Sequence, residues 1–212
     1  MPIPDDDNPK LVVARAYDTI AEIYFERYAG SPVRDRWLKE LVALLPRRAR
    51  VLDLGCGAGI PVARELTTRG FAVTGVDNSA RQIEFARSNV PEAQFIHSDM
   101  MNVEFASASF DAVVAFYSIT HVPREEHAIL LQRIATWLKP SGIFLASLGA
   151  DQLPASREEW LGTEMFFSHY DAQTNEKLVR DSGFSIERAE LVDEDNEHER
   201  FLWVIARLYC ET

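Results

Sequence analysis

The sequence predicts an α/β fold: a doubly wound, mostly parallel sheet that closes with an antiparallel hairpin at its carboxyl end. Three observations carry this prediction. The apolar run Val51, Leu52, Leu54 suits a short strand covered on both faces, and Gly55, Gly57 and Gly59 follow it at alternate positions ahead of a helical pattern. Strand-like and helix-like segments then alternate along the chain, as parallel βαβ units require. Two further strand patterns, over 184–192 and 200–207, are separated only by the acidic run 193–199, which is too short for a crossover, so the two pair antiparallel.

With 212 residues, 47% of them hydrophobic and 26% charged, the chain suffices for one α/β domain that buries roughly 70% of its unfolded surface. That domain is expected over 46–212, behind a helical segment over 1–45. No run approaches the ~20 apolar residues of a membrane helix, and Met1-Pro-Ile-Pro-Asp-Asp-Asp-Asn lacks the apolar core of a secretory signal. A cytoplasmic protein that touches no membrane is the expectation. A net charge of −11 weighs against a nucleic-acid partner, because phosphate backbones are bound through clustered Lys and Arg. Cys56 and Cys210 form neither a metal-ligand spacing nor a disulfide framework, so no metal is expected.

Val13, Tyr17, Ile20, Tyr24 and Tyr28 recur at helical spacing over 9–29, and a second helix over 33–45 should end before Pro46. After the glycines, a helix stops at Gly70 and 71–76 reads as the second strand. Asp77 closes that strand about 20 residues past the glycine loop, where a carboxylate is placed to accept hydrogen bonds from both hydroxyls of a ribose. Ser79-Ala-Arg-Gln82 is a capping box for the next helix. Residues 94–97 form the third strand, followed by Ser98-Asp99-Met100, and 110–117 form the fourth. A helix over 123–138, a Lys139-Pro-Ser-Gly142 turn and a strand over 143–148 come next. Residues 150–170 are an aromatic insert, and a helix closing at Gly183 leads to the terminal pair.

The three glycines let the backbone turn sharply and come close to a ligand, and a helix beginning near Ile60-Pro61 would aim its unpaired N–H groups at an anionic part of that ligand. A dinucleotide fingerprint counted from Gly55 needs its third glycine at position 60, which is Ile60. The stretch Asp53-Leu-Gly55-Cys-Gly57-Ala-Gly59 instead resembles motif I of the class I S-adenosylmethionine-dependent methyltransferases. The resemblance runs over about 45–207 and includes the terminal hairpin. It implies a seven-stranded sheet and S-adenosylmethionine as cofactor. By the same resemblance, the backbone at Gly55, Cys56 and Gly57 holds the cofactor's amino-acid end, Asp77 its ribose and Asp99 with Met100 its adenine, the end of the fourth strand faces the methyl group, and Asp53, Asn78 and Phe116 count among the cofactor-binding residues. Tyr17-Asp-Thr-Ile-Ala-Glu-Ile-Tyr24 looks like the lid of the family's small-molecule members, which adds Tyr17 and Tyr24; a helix packed by its aromatic stripe explains the same pattern.

The Asn/Asp-Pro-Pro-Tyr/Phe tetrad of enzymes that methylate base or glutamine nitrogen is absent, and the fourth strand lacks the aspartate that holds magnesium in catechol-type members. A small-molecule acceptor remains, its identity not legible. His121 and His169 are the candidate bases, since histidine titrates near neutral pH. Tyr17, Tyr24, Trp160, Phe166, His169 and Tyr170 are the candidate walls of an acceptor pocket. Two rival readings are an NAD-dependent oxidoreductase, favoured by Asp77 and opposed by Ile60, and a non-catalytic cofactor-binding protein, which would leave no room beside the methyl group.

Overall fold

The computed structural model describes residues 8–28, 30–194 and 200–209. Helices α1 (Pro9–Tyr28) and α2 (Pro32–Leu44) lead into β1 (Arg50–Leu54), α3 (Val62–Thr68), β2 (Ala72–Asp77), α4 (Ala80–Asn89), β3 (Gln94–His97) and β4 (Phe110–Ala115). They are followed by α5 (His127–Trp137), β5 (Leu138–Gly149), β6 (Leu153–Trp160), β7 (Thr163–His169), α6 (Ala172–Asp181), β8 (Phe184–Asp193) and β9 (Arg200–Leu208). Seven strands form one sheet in the order β3-β2-β1-β4-β5-β9-β8. The pairs from β3 to β5 are parallel, and β9 runs antiparallel to both β5 and β8. The chain starts at the middle of the sheet, steps outward to β3 and returns to β4 on the other side of β1. The strand order therefore reverses between β1 and β4, and a crevice opens at their carboxyl ends.

Each face of the sheet has its own core. Leu52, Leu54, Val113 and Phe144 point to the side covered by α5 and α6, where Trp137 and Val179 are buried. Val51, Val114, Leu145 and Trp203 point to the other side, against Trp37, Leu38 and Leu41 of α2 and Leu66 of α3. Burial on both faces explains why these strands read as continuous apolar runs with no alternation. Of the two leading helices, α2 thus belongs to the sheet's own layer. Helix α1 does not: its Val12, Val13, Ala16 and Ile20 form a separate cluster with Met165 and Phe166 of β7.

Three local expectations need correction. The aromatic insert is a β-hairpin, β6 against β7, because Glu159↔Glu164 and Trp160↔Thr163 close onto a Leu161-Gly162 turn with both φ positive (52° and 83°). The helix expected from Pro123 begins only at His127, since Pro123 is extended and 124–126 make a tight 3₁₀ turn first. The Lys139-Pro-Ser-Gly142 turn lies inside β5 as a bulge, where pairing with β4 jumps from Phe110↔Leu138 to Ala112↔Ile143 and Ser141 takes φ 62°.

The hairpin is keyed to the sheet at Gly149, where a Cβ would stand 2.2 Å from His169 Nδ1 and 2.3 Å from its Cγ. Gly149→Ala is expected to destabilise the protein by about 1–3 kcal/mol through overpacking. Urea denaturation should show the loss, and His169→Ala in the same chain should recover most of it.

Candidate functional site

The crevice is built on the glycine turn. Leaving β1, the chain folds across the end of β2, with Gly55 N and Cys56 N both donating to Val76 O at 2.8 and 3.1 Å. Gly55 takes φ 78°, and a Cβ there would lie 2.3 Å from Ser118 Cβ, so only glycine lets the loop pass under β4's exit. Ser118 Oγ secures that crossing by donating to Leu54 O at 2.7 Å. Asp77 ties the loop to the second strand: its Oδ2 accepts from Gly57 N at 2.8 Å and its Oδ1 from Ser79 N at 2.9 Å. Burial raises the Asp77 pKa, and those two backbone donors oppose the rise. Each oxygen keeps a second lone pair, and the carboxylate lines the crevice.

Three adjoining cavities occupy the crevice. The first spans about 680 Å³, part of it open to solvent, and is lined by Tyr17, Tyr24, Gly55, Gly57, Asp77, Asn78, Asp99, Met100, Phe116 and His121. Asp53 and Cys56 line the third, of about 520 Å³, which shares Gly55, Gly57, Gln82 and Phe116 with the first. The structure therefore brings together every residue expected at the cofactor, distributed over two connected spaces. Ile60, Pro61 and Val62, at the amino end of α3, line the third cavity, while the loop backbone at Gly55 and Gly57 faces the first.

Asp53 is fully buried and its Oδ2 has no hydrogen-bond partner among the described residues. Burial first, and then the neighbouring Asp77, push its pKa up to about 7, against a lowering by Arg34. A carboxyl left in this state at the wall of a cavity is primed to receive a cation.

Helix α1 closes over the first cavity. Lys10 Nζ pairs with Asp99 Oδ2 at 3.2 Å and Glu126 Oε2 at 2.5 Å, and Asn78 Nδ2 donates to Lys10 O at 3.0 Å. Asp18 Oδ1 accepts from Ser79 Oγ at 2.6 Å and Arg81 N at 3.0 Å, so α1 also caps α4. The other oxygen of Asp99 accepts from Met101 N at 2.9 Å. Lys10 thus holds the carboxylate expected at adenine, and helical periodicity gives no sign of it.

The second cavity, of about 850 Å³, lies beyond a shared wall of Tyr17, Tyr24, Tyr117 and His121. Tyr28, Trp160, Phe167 and Phe201 line it further out, with Arg34, Thr120 and Glu194 as its polar groups. Trp160 stacks on Tyr28 at 5.8 Å and meets Tyr17 and Tyr24 edge-on at 6.1 and 5.8 Å. Of the expected acceptor walls, Tyr17, Tyr24 and Trp160 are present. Phe166 is not, because the alternation of β7 turns it into the cluster under α1 and sends Phe167 to the cavity. Tyr170 lies under the Arg124 guanidinium, away from all three spaces.

The two candidate histidines separate. His121 Nδ1 lies 2.8 Å from Phe166 O; a carbonyl only accepts, so Nδ1 carries the hydrogen and Nε2 accepts from the Tyr17 hydroxyl at 3.0 Å. Burial pushes the His121 pKa down to about 4, keeping the ring neutral. His169 lines none of the three cavities; its Nδ1 is 2.7 Å from Asp151 O and its ring is spent against Gly149. It is withdrawn as a candidate base. Among the described residues no cluster of three His, Cys, Asp or Glu could hold a metal ion, and no helix is long and apolar enough to cross a membrane.

Residues 51–142, from β1 into β5, match the methyltransferase domain family. The chain carries a methyltransferase domain and is similar to the class I S-adenosylmethionine-dependent methyltransferases. It is 36% identical over 152 residues to the 27-O-demethylrifamycin SV methyltransferase of Amycolatopsis mediterranei, a match covering 61% of this chain and 55% of that protein. It is likewise 36% identical over 140 residues to the trans-aconitate 2-methyltransferase of Variovorax paradoxus, covering 64% of this chain and 50% of that one. The matched region thus spans about half the length of these relatives. Among solved structures, the 1,6-didemethyltoxoflavin-N1-methyltransferase of Burkholderia thailandensis aligns with a TM-score of 0.77 at 19% identity, covering 99% of this chain and 92% of that one. The cyclase SpnF aligns equally well, at 18% identity over 96% and 97% of the two chains, so the fold alone does not fix the reaction.

Proposed function

We propose that this methyltransferase binds S-adenosylmethionine across the first and third cavities and methylates a small molecule held in the second. One observation carries the reading: a cavity furnished with the glycine loop, Asp77 and Asp99 shares a wall with a second, aromatic-lined cavity. The residues present fit that cofactor. Asp53 Oδ2 is a buried acceptor lacking a partner among the described residues, as an ammonium group requires, and Gly55 and Gly57 bring bare backbone to the cavity wall. Asp77 and Asn78 would take the ribose, and Asp99 and Met100 the adenine, with Lys10 giving way at Asp99. Room beside the shared wall speaks against a binding protein without turnover.

Bound S-adenosylmethionine supplies a methyl group already made electrophilic by its sulfonium. The chain's own contribution is alignment and the exclusion of water. Tyr17, Tyr24, Tyr117 and His121 stand where the two cavities meet, and the ring faces of Trp160 and Tyr28 suit a planar or apolar acceptor. His121 Nε2, held as an acceptor, can take a hydrogen bond from the acceptor molecule in place of Tyr17; as a neutral ring with depressed pKa it orients that group.

Mass spectrometry of the small molecule that co-purifies with the protein tests the reading. S-adenosylmethionine or S-adenosylhomocysteine is expected, and NAD would contradict it. Once an acceptor is found, His121→Asn should keep turnover within about tenfold of wild type, because a residue that only orients loses less than the ~10²–10⁴-fold of a proton-abstracting base. His169→Asn should leave turnover unchanged.

A further inference from the structure

Gln82 sits in the first turn of α4 and is 1% exposed. Its backbone N donates to Ser79 Oγ at 3.1 Å, the forward half of the capping box. The return half is missing. The side-chain amide does not reach Ser79 N, which Asp77 Oδ1 already holds, and neither Nε2 nor Oε1 has a hydrogen-bond partner among the described residues. A buried amide with both ends unmet is rare and costs folding free energy, so the cap does not explain it.

The position of the amide explains it better. Gln82 lines both the first and the third cavity, and its Oε1 lies 3.8 Å from where a Cβ on Gly57 would stand. On the third cavity it joins Asp53, whose Oδ2 is also unpartnered, and the Arg34 guanidinium. One group there accepts, one is cationic, and Gln82 both donates and accepts. That set matches a zwitterion: an ammonium facing Asp53 and Gln82 Oε1, and a carboxylate facing Gln82 Nε2 on the side of Arg34.

We infer that Gln82 is a cofactor-specificity residue that grips the α-amino-acid end of the ligand between the glycine loop and α4. The inference rests on the cofactor reading proposed above. It predicts that the protein tells S-adenosylhomocysteine from 5′-methylthioadenosine, which has the same nucleoside and sulfur but no amino-acid end, largely through this amide.

The test is a calorimetric titration of both ligands into wild type and Gln82→Met, a substitution of similar length and helix propensity. S-adenosylhomocysteine should bind the variant at least about tenfold more weakly, as loss of hydrogen bonds to charged groups implies, with 5′-methylthioadenosine within about twofold of wild type. The melting temperature of the ligand-free variant should stay level or rise, since a buried unmet amide has been removed; a residue that merely supports the fold would lower it. Equal weakening of both ligands, or unchanged S-adenosylhomocysteine affinity, would overturn the inference while leaving the cofactor reading intact. Wild type that binds neither ligand would overturn both. If Gln82→Met does not fold, Gln82→Asn, which keeps the amide but withdraws it, is read against the same two outcomes.

Discussion

Asp77→Ala is expected to raise the dissociation constant of S-adenosylhomocysteine about 10- to 150-fold, the equivalent of about 1.5–3 kcal/mol in hydrogen bonds to a charged group. Two losses coincide at this residue. The ribose hydroxyls lose their acceptor, and Gly57 N and Ser79 N lose the oxygens that fix the glycine loop against α4. Asp77→Asn separates them, because one amide oxygen still serves one backbone donor. Calorimetry should rank wild type above Asn and Asn above Ala. Unchanged affinity in the alanine variant would remove Asp77 from the site.

The second large effect is on pH. Asp53 has a pKa of about 7 in the ligand-free protein, from burial first and Asp77 second, with Arg34 opposing. Pairing with an ammonium favours the carboxylate, so binding below that pKa must expel a proton. Affinity for S-adenosylhomocysteine should therefore climb up to about tenfold per pH unit as pH rises toward 7, then level off. Asp53→Asn should flatten this rise, and titrations in buffers of different ionisation enthalpy should count the proton released. Stability moves the other way. A pKa raised above its unfolded value of 3.8 means that the native state holds the extra proton, so stability of the ligand-free protein falls between about pH 4 and 7. The full cost above pH 7 is on the order of 4 kcal/mol, and bound ligand should suppress it.

What could be read from the sequence was what short-range chemistry fixes. Val51, Leu52, Leu54 and the three glycines need no distant partner to declare a strand and a tight turn, and Asp77 and Asp99 each stand at a strand end that the turn's spacing already implies. The hairpin at β6 and β7 was not legible, because aromatic density gives no period and its decisive contacts, Phe166 under α1 and His169 on Gly149, are long-range. Lys10, Arg34 and Glu194 come to the cavities by the docking of α1, the start of α2 and the end of β8, none of which local pattern reveals. Gln82 was hidden differently: the capping box accounted for it fully on paper, and only the unmet amide shows that its side chain faces elsewhere. Ser118 and Tyr117 had a usable signal, since both directly follow Phe116 at the methyl-facing strand end.

The central claim, that the crevice at the carboxyl ends of β1, β2 and β3 is an S-adenosylmethionine site, is tested most directly by titrating the purified wild-type protein with S-adenosylhomocysteine and, separately, with NAD. Saturable binding of one S-adenosylhomocysteine per chain, with no heat from NAD at the same concentrations, is the predicted result; binding of NAD in preference, or of neither, would contradict it.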